Sequence, residues 1–579
     1  AAVHDKLVPE EDIDAAVNRL FVARFRLGMF DPPTAVPYSS IPTSEIDSPA
    51  HRAVALKVSQ ESIVLLKNAD GILPLSSKVR SIAVVGPNSV ELAALEGNYN
   101  GQPSHPVLPL DGIEAKFGPH AKIEFAEGSE HVQGLPLTVP RTVFRDGTGA
   151  QGLKAEYFNN LDMSGAPVFT RLDHEISFDW NASSPAPGVH PNAFSVRWTG
   201  TLAVPGPGEY TFKIVQPRCF QSCKTQEHYR IFVDGKVMTD GGINRRKTMG
   251  GDVLGTGGTF AVHFDDGGLH KFRVEYSHQS ALFGAGIVFQ WQPPSAVLLK
   301  EAVEVASKAD VVIAFMGLSS RLEGEEFPLA LDGFNGGDRT KIELPESQQA
   351  LLKAIAATGK PIILVLENGS ALAIPWAKQH AAAIVEAWYP GQSGGDAIAD
   401  VLSGAYDPGG RLPVTMYEST SQLPPFSNYA MADRTYRYFT GKPLYRFGFG
   451  LSYTSFLYSG LKLNSDPVAA GQPLKISVMV KNTGKRGGDE VAQVYIQDAA
   501  LKGAPLLRLA AFQRFYLDAG ESRHVEFTLD SRQLSDVDVA GKRAVRSGSY
   551  RVFVGGGQPG DAVGVHANYS VRGTVGLKE

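Results

Sequence analysis

Cysteine is nearly absent: the 579 residues hold two, Cys219 and Cys223, in the stretch PRCFQSCKTQ. Two cysteines cannot form the disulfide framework of a small secreted domain, and two ligands alone do not complete a zinc site. A local disulfide and two free thiols fit equally, so redox compartment is only weakly marked. Long apolar runs are missing too. None reaches the ~18 residues that a membrane-spanning helix needs, so no segment reads as one. An excess of one charge is also lacking: 55 Lys and Arg against 60 Asp and Glu leave a net charge of −5. That balance gives no electrostatic reason to expect nucleic acid or an anionic membrane as partner. The 14 His are scattered without an H-x-x-x-H pair, so neither a metal nor another cofactor is expected. GGGQPG and SGGDA lack the strand, G-x-G-x-x-G and helix order of nucleotide sites. Ser370 in ENGSAL lacks the G-x-S-x-G frame of a nucleophilic serine, and no His is placed by the sequence to activate it.

What remains is ample. Hydrophobic residues make up 43% and charged residues 20%, ordinary values for a globular protein with a sizeable core, and the length predicts three or four domains. The 61 Gly and 37 Pro fit a turn-rich chain with β domains. The N-terminal AAVHDKLVPEEDIDAAVNRL has no signal-peptide pattern. Ile13, Val17, Leu20, Phe21 and Phe25 recur there at helical spacing, and Gly28 with Pro32-Pro33 ends the segment. A chain that opens inside an amphipathic helix is expected to continue a preceding domain.

Residues 50–67 have helical periodicity, and SIAVVGPNS is an apolar strand ending in Gly86-Pro87. Helix, apolar strand and loop in succession predict an α/β layer with a mainly parallel sheet. The same grammar resumes at 295 with SAVLLKEAVEVASKA, DVVIAFMG, ESQQALLKAIAATG, PIILVLENG and AAIVEAWYPG. Between them, residues 146–294 alternate in GLKAEYF, AFSVRWTGTLAV, GEYTFKIV and LHKFRVEYSH, the pattern of a β-sandwich inserted into the α/β domain. The tail from 456 is again all-β with immunoglobulin-like spacing. Asp265-Asp266 reads as a hairpin turn, and Asn181, Asn368 and Asn568 each open a glycosylation triplet.

The loop 317–345 directly follows an apolar strand and carries Glu323, Glu325, Glu326, Asp332 and Asp338. Most such connections span ~2 to 6 residues, and ligands of open α/β sheets bind at the carboxyl ends of strands. A carboxyl among carboxylates, shielded by Phe327 and Phe334, would have a raised pKa and act as a general acid. Taken alone, the loop fits a solvated acidic connection better than a catalytic one.

ESIVLLKNADGILPL, IAVVGPN, EAWYPGQSGGDAIADVLSGAYDPGGRLPVTM and RTYRYFTGKPLYRFGFGLSYTSF, in this order, resemble the C-terminal region of glycoside hydrolase family 3 enzymes, among them β-glucosidases and β-xylosidases. The insertion resembles a PA14 domain and the tail a fibronectin type III-like domain. ARFRLGMFDPP and NYNGQPSHPV are most similar to the β-xylosidase branch. The resemblance implies a remnant of the last barrel helix over 1–30, a linker over 31–49, and an α/β sandwich in two parts, 50–145 and 295–416. It further implies a PA14-like domain over 146–294, a linker over 417–455 and the fibronectin-like domain over 456–579.

It implies a retaining, exo-acting β-glycosidase whose general acid/base comes from the acidic loop. LEGEEF with Gly337-Asp338-Arg339 matches an E-G-x-D-R type of motif through a longer spacer, giving Glu325 as first choice and Glu323 as second. Arg321, Glu326 and His105 are expected to contact substrate, and Asp338 with Arg339 to brace the loop as an ion pair. The nucleophilic Asp of this family lies on a barrel of about 250 residues that is not in this sequence. Ser177-Phe178-Asp179-Trp180 is a PA14-like element rather than that nucleophile. The expected partners are therefore a β-glycoside or oligosaccharide and the barrel, with homodimer formation left open and a periplasmic or extracellular location. Residues 218–228 are expected either to overhang the active site or to be uninvolved. A non-catalytic carbohydrate-binding or scaffold protein is the alternative.

Overall fold

The computed structural model describes residues 2–101, 103–181, 183–215, 226–242, 258–279, 285–325, 329–498, 503–538 and 540–578. Two units are distinguished, Ala1–Ala55 and Leu56–Glu579. In the first, the expected helix runs over Glu10–Arg26, with Glu10, Glu11 and Asp12 in its first turn and Arg24 and Arg26 in its last. Both charge sets complement the helix dipole. Past Gly28 the chain folds back, and Phe30 packs on Phe21 and Phe25 at 5.7 and 4.7 Å between ring centroids.

The second unit is built on a six-stranded sheet. Its strands are β1 (Val64–Asn68), β2 (Ser81–Val85), β3 (Lys122–Ala126), β4 (Val311–Gly317), β5 (Ile362–Glu367) and β6 (Ala383–Glu386), in the order β1-β6-β5-β4-β2-β3. β1 runs antiparallel to β6, and the other pairs are parallel. The helical periodicity read over 50–67 therefore ends early: the helix stops at Ser62 and the rest is strand. The physical reason is burial on two sides. Ile63 and Leu65 enter one core, Val64 and Leu66 the other, and two-sided burial suits an extended chain.

Helices α1 (Pro109–Phe117) and α4 (Gly394–Ser403) cover one face of the sheet, and α2 (Ser295–Lys308) and α3 (Glu346–Ala356) the other. α1 and α4 cross closely because both backbones are bare there: a Cβ on Gly112 would overlap the Gly395 carbonyl.

Between β3 and α2 lies the inserted all-β region, two antiparallel sheets around one core that includes Trp198, Trp291, Tyr157 and Phe289. It starts at the strand Leu137–Thr138, earlier than the expected residue 146, because that short segment pairs with the region's last strand, Ala285–Gln292. The last strand also ties the insertion to the chain after β3: Trp291 Nε1 donates to Glu127 at 3.3 Å and Gln292 Nε2 to Glu130 at 3.1 Å. Ser177–Asn181 is a strand of this region, whereas Asp265-Asp266 is not the expected hairpin turn: it lies in the bend between Thr259–Phe264 and Gly268–Gln279, which belong to different sheets and do not pair.

The segment 417–455 is not a free linker. Met416 and Tyr445 bridge, and Leu451 N donates to Leu65 O, closing the β1 edge. Beyond it, three- and five-stranded sheets share the C-terminal core.

Candidate active site

β4 is wholly buried, and its last residue, Gly317, has φ of 138° and no room for a side chain beside the Glu367 carbonyl. The acidic loop thus leaves the sheet at the carboxyl ends of β4 and β5, where ligands of such sheets bind. Its first residues are pinned: Asn88 Nδ2 donates to Leu318 O at 2.9 Å and Ser320 N to Ala93 O at 3.2 Å.

Glu323 and Glu325 then part ways. Glu323 is half-buried, and its carboxylate accepts hydrogen bonds from Ser370 Oγ, from Tyr389 OH at 2.5 Å and from Gly369 N at 3.4 Å. Burial and the Glu323 charge both push the Tyr389 hydroxyl pKa upward, so it stays a donor. Arg339 lies behind this network, giving Nη1 to Ser370 Oγ at 2.9 Å and to Ala371 O at 2.7 Å. Burial lowers its pKa while Glu323 pulls the other way.

Glu325 is exposed, and the described partner of its carboxylate is the hydroxyl of Tyr99. Tyr99 is 84% exposed and held at a positive φ of 56°. Its neighbour Asn98 donates to Glu323 O at 2.7 Å. The loop after β2 therefore meets the main-chain carbonyl of Glu323 and the carboxylate of Glu325. Gly324, between them, is contacted from the other side by Gly337 at φ of 86°, where a Cβ would overlap the Gly324 carbonyl. Gly337→Ala is accordingly expected to displace the Glu323-Glu325 turn, seen as faster amide exchange over 322–325 with little change in global unfolding.

Several expectations change here. Arg321 does not face outward with Glu325. It forms an ion pair with Glu91 at 3.1 Å and donates to Pro136 O at 2.9 Å, joining the loop to the root of the insertion. His105 is exposed beside Ser104, with no contact to either glutamate among the described hydrogen bonds. Asp338 and Arg339 form no ion pair among those described; Arg339 braces the loop from the β5 side instead, and Asp338 is exposed. Phe334 does not shield the carboxylates but joins the core under the sheet. Glu326, Phe327, Cys219, Cys223 and residues 218–225 lie outside the described residues, whereas His228 pairs with Asp240 at 2.9 Å. Asn368 is fully buried and cannot carry a glycan.

The sequence reading missed Asn98, Tyr99 and Tyr389 and weighed Ser370 only as a nucleophile, not as a partner of Glu323. Ser370 and Tyr389 were within reach, since each lies just past an apolar strand of the parallel sheet. Among the described residues no three His, Cys, Asp or Glu converge as metal ligands.

The profile of the glycosyl hydrolase family 3 C-terminal domain matches residues 63–453, and that of the fibronectin type III-like domain matches 490–558. A xylan 1,4-beta-xylosidase of Xylanibacter ruminicola is 34% identical over 560 residues, covering 96% of this chain and 62% of that protein. A periplasmic beta-glucosidase of Salmonella typhimurium is 39% identical over 271 residues, covering 45% of this chain and 34% of that protein. The crystal structure of a beta-glucosidase of Kluyveromyces marxianus superposes with a TM-score of 0.66 at 25% identity, covering 94% of this chain and 65% of that one. The chain thus spans less than two thirds of the xylosidase's length.

Proposed function

Because this chain belongs to glycosyl hydrolase family 3, we propose that it supplies the general acid/base of a retaining, exo-acting β-glycosidase. Xylose-ended substrates are favoured over glucose-ended ones by the identity to the xylosidase along nearly the whole chain. The observation that carries the assignment is the contrast between two carboxylates on one turn. Glu323 is saturated by three donors, whereas Glu325 projects into solvent with one hydroxyl beside it. A fixed carboxylate holds a loop; an exposed one can exchange protons with a substrate.

In this reading Glu325 protonates the glycosidic oxygen as it leaves, then as carboxylate draws the proton from the attacking water. The Tyr99 hydroxyl stabilises the ionised stage by donating to Glu325 Oε2, leaving Oε1 for the substrate. A second carboxylate, about 5 to 5.5 Å away in retaining enzymes, would come from a nucleophile-bearing barrel outside this sequence. We assign the insertion as PA14-like on its strand pattern and its two-sheet core. Location in the periplasm or outside the cell belongs to the same proposal, supported by the periplasmic relative.

The test is hydrolysis of aryl β-xyloside and β-glucoside by the chain alone and by the chain joined to such a barrel. The expected result is turnover only in the joined form, faster on the xyloside. Turnover by the chain alone would overturn the division of labour. Oligosaccharide binding without turnover in the joined form would favour a binding module instead.

A further inference from the structure

Two buried glutamates stand at the roots of the two segments that hold Glu323. Glu367 ends β5 and Glu386 ends β6, and both are 0% exposed. Three residues beyond each lies a hydroxyl donor to Glu323: Ser370 after Glu367, Tyr389 after Glu386. Neither buried carboxyl has the partners a carboxylate needs. Both oxygens of Glu367 are without a hydrogen bond, and Glu386 has one weak donor, Trp388 N at 3.3 Å, on Oε1 and none on Oε2.

The carboxamides beside them are also unsatisfied, on the acceptor side. Asn88 faces Glu367 and Asn368 faces Glu386, and the Oδ1 atoms of both are buried without a donor. Each Nδ2 gives one N–H to a loop carbonyl, Asn88 to Leu318 O and Asn368 to Ser370 O at 2.9 Å, and has its second N–H left for the carboxyl it faces. One N–H from each carboxamide is the side-chain donor available to each carboxyl, and both carboxamide oxygens still lack a donor of their own. A carboxylate would add acceptors, and burying one unpaired costs several kcal/mol; a carboxylic acid adds an O–H.

We infer that Glu367 and Glu386 are neutral carboxylic acids in the folded protein and act as positioning residues for the Glu323 anchor. Among the described residues no cation forms an ion pair or hydrogen bond with either carboxyl. On β1, Lys67 reaches the carbonyls of Lys378 and Gln379; β2 and β4 carry no titratable side chain. Asp400 of α4 is taken by Lys116 and Gln60, while Glu114 of α1 pairs with Arg141. Glu346 and Lys353 of α3 are exposed. His131, after β3, is held uncharged by burial, its pKa down at about 4. Burial is the main cause raising both pKa values; Glu386, were it ionised, would raise that of Glu367 further, while the donors Asn88 at Glu367 and Trp388 N and Asn368 at Glu386 oppose the rise without offsetting it.

The sign of the pH dependence follows. A carboxyl that ionises at about 4.3 when unfolded and much higher when folded contributes stability fully present below the lower value and lost as pH rises towards the upper one. Ionisation would charge the roots of both segments, so the Ser370 and Tyr389 contacts to Glu323 are expected to loosen at alkaline pH. The inference goes beyond the acid/base reading of Glu325 and does not depend on it, since no readout below requires turnover.

The experiment is infrared difference spectroscopy of this chain at neutral pH, wild type against E367Q, E386Q and the double variant. Amide exchange over 318–325 and Tm are followed from about pH 5 to about pH 9. Each single variant is expected to remove a protonated-carboxyl carbonyl band, and the double variant both. Wild type is expected to lose exchange protection and Tm towards pH 9, while the double variant keeps both. Glutamine preserves the size and donor of a neutral acid, so E367Q should restore the Tm that E367L loses. Carboxylate bands in place of the protonated-carboxyl bands, whether waters or a bound cation sustain them, would overturn the inference. Glutamine variants that fail to fold would overturn it equally, because they leave the neutral donor in place.

Discussion

In a barrel-joined enzyme, Glu325→Ala is expected to lower kcat/KM on xylo-oligosaccharides by ~10² to 10⁴, the usual contribution of a positioned general acid. The physical reason is that an alkoxide leaving group needs a proton in the transition state, and Glu325 is the exposed carboxylate on the turn. Aryl glycosides with an acidic phenol need no such proton, so their first step is expected to change far less. Azide, which attacks without base assistance, should partly restore turnover and leave a glycosyl azide as product. Parallel kinetics on the two substrate classes make the check. Equal losses on both would move the acid/base role elsewhere.

Glu323→Ala is expected to be as damaging, with a different signature. It strips Ser370, Tyr389 and Gly369 N of a shared acceptor and removes the anion facing Arg339, whose Nε and Nη2 are already buried without partners. Hydrogen bonds to a charged group contribute roughly 1.5 to 3 kcal/mol each, so the turn carrying Glu325 should lose its fixed position. Activity on poor and activated substrates should then fall together, because the whole loop is misplaced. Azide should not rescue it, and amide exchange over 318–325 should accelerate. Glu323→Gln keeps an acceptor oxygen and should recover part of the protection. Selective loss on the poor leaving group, with azide rescue, would instead make Glu323 the acid/base.

Much of the architecture was legible because periodicity encodes burial. Apolar runs such as DVVIAFMG become strands buried on both faces, and the alternating stretches become the two β regions. The boundaries were less legible: Leu137–Thr138 is too short to show a period, and Val64–Asn68 mimics a helix until its two-sided burial is seen.

The site followed the same division. Sequence alone determined that an acidic loop leaves a parallel strand with Glu323 and Glu325 on it, since residue order fixes which groups share a turn. It could not distinguish their roles, because the partners of Glu323 come from positions 369, 370 and 389 and that of Glu325 from position 99. Only the tertiary structure decided that one carboxylate is held and the other free to face solvent. The packing of β2, β4, β5 and β6 side by side brings those donors together, and no local pattern records which strand ends become neighbours.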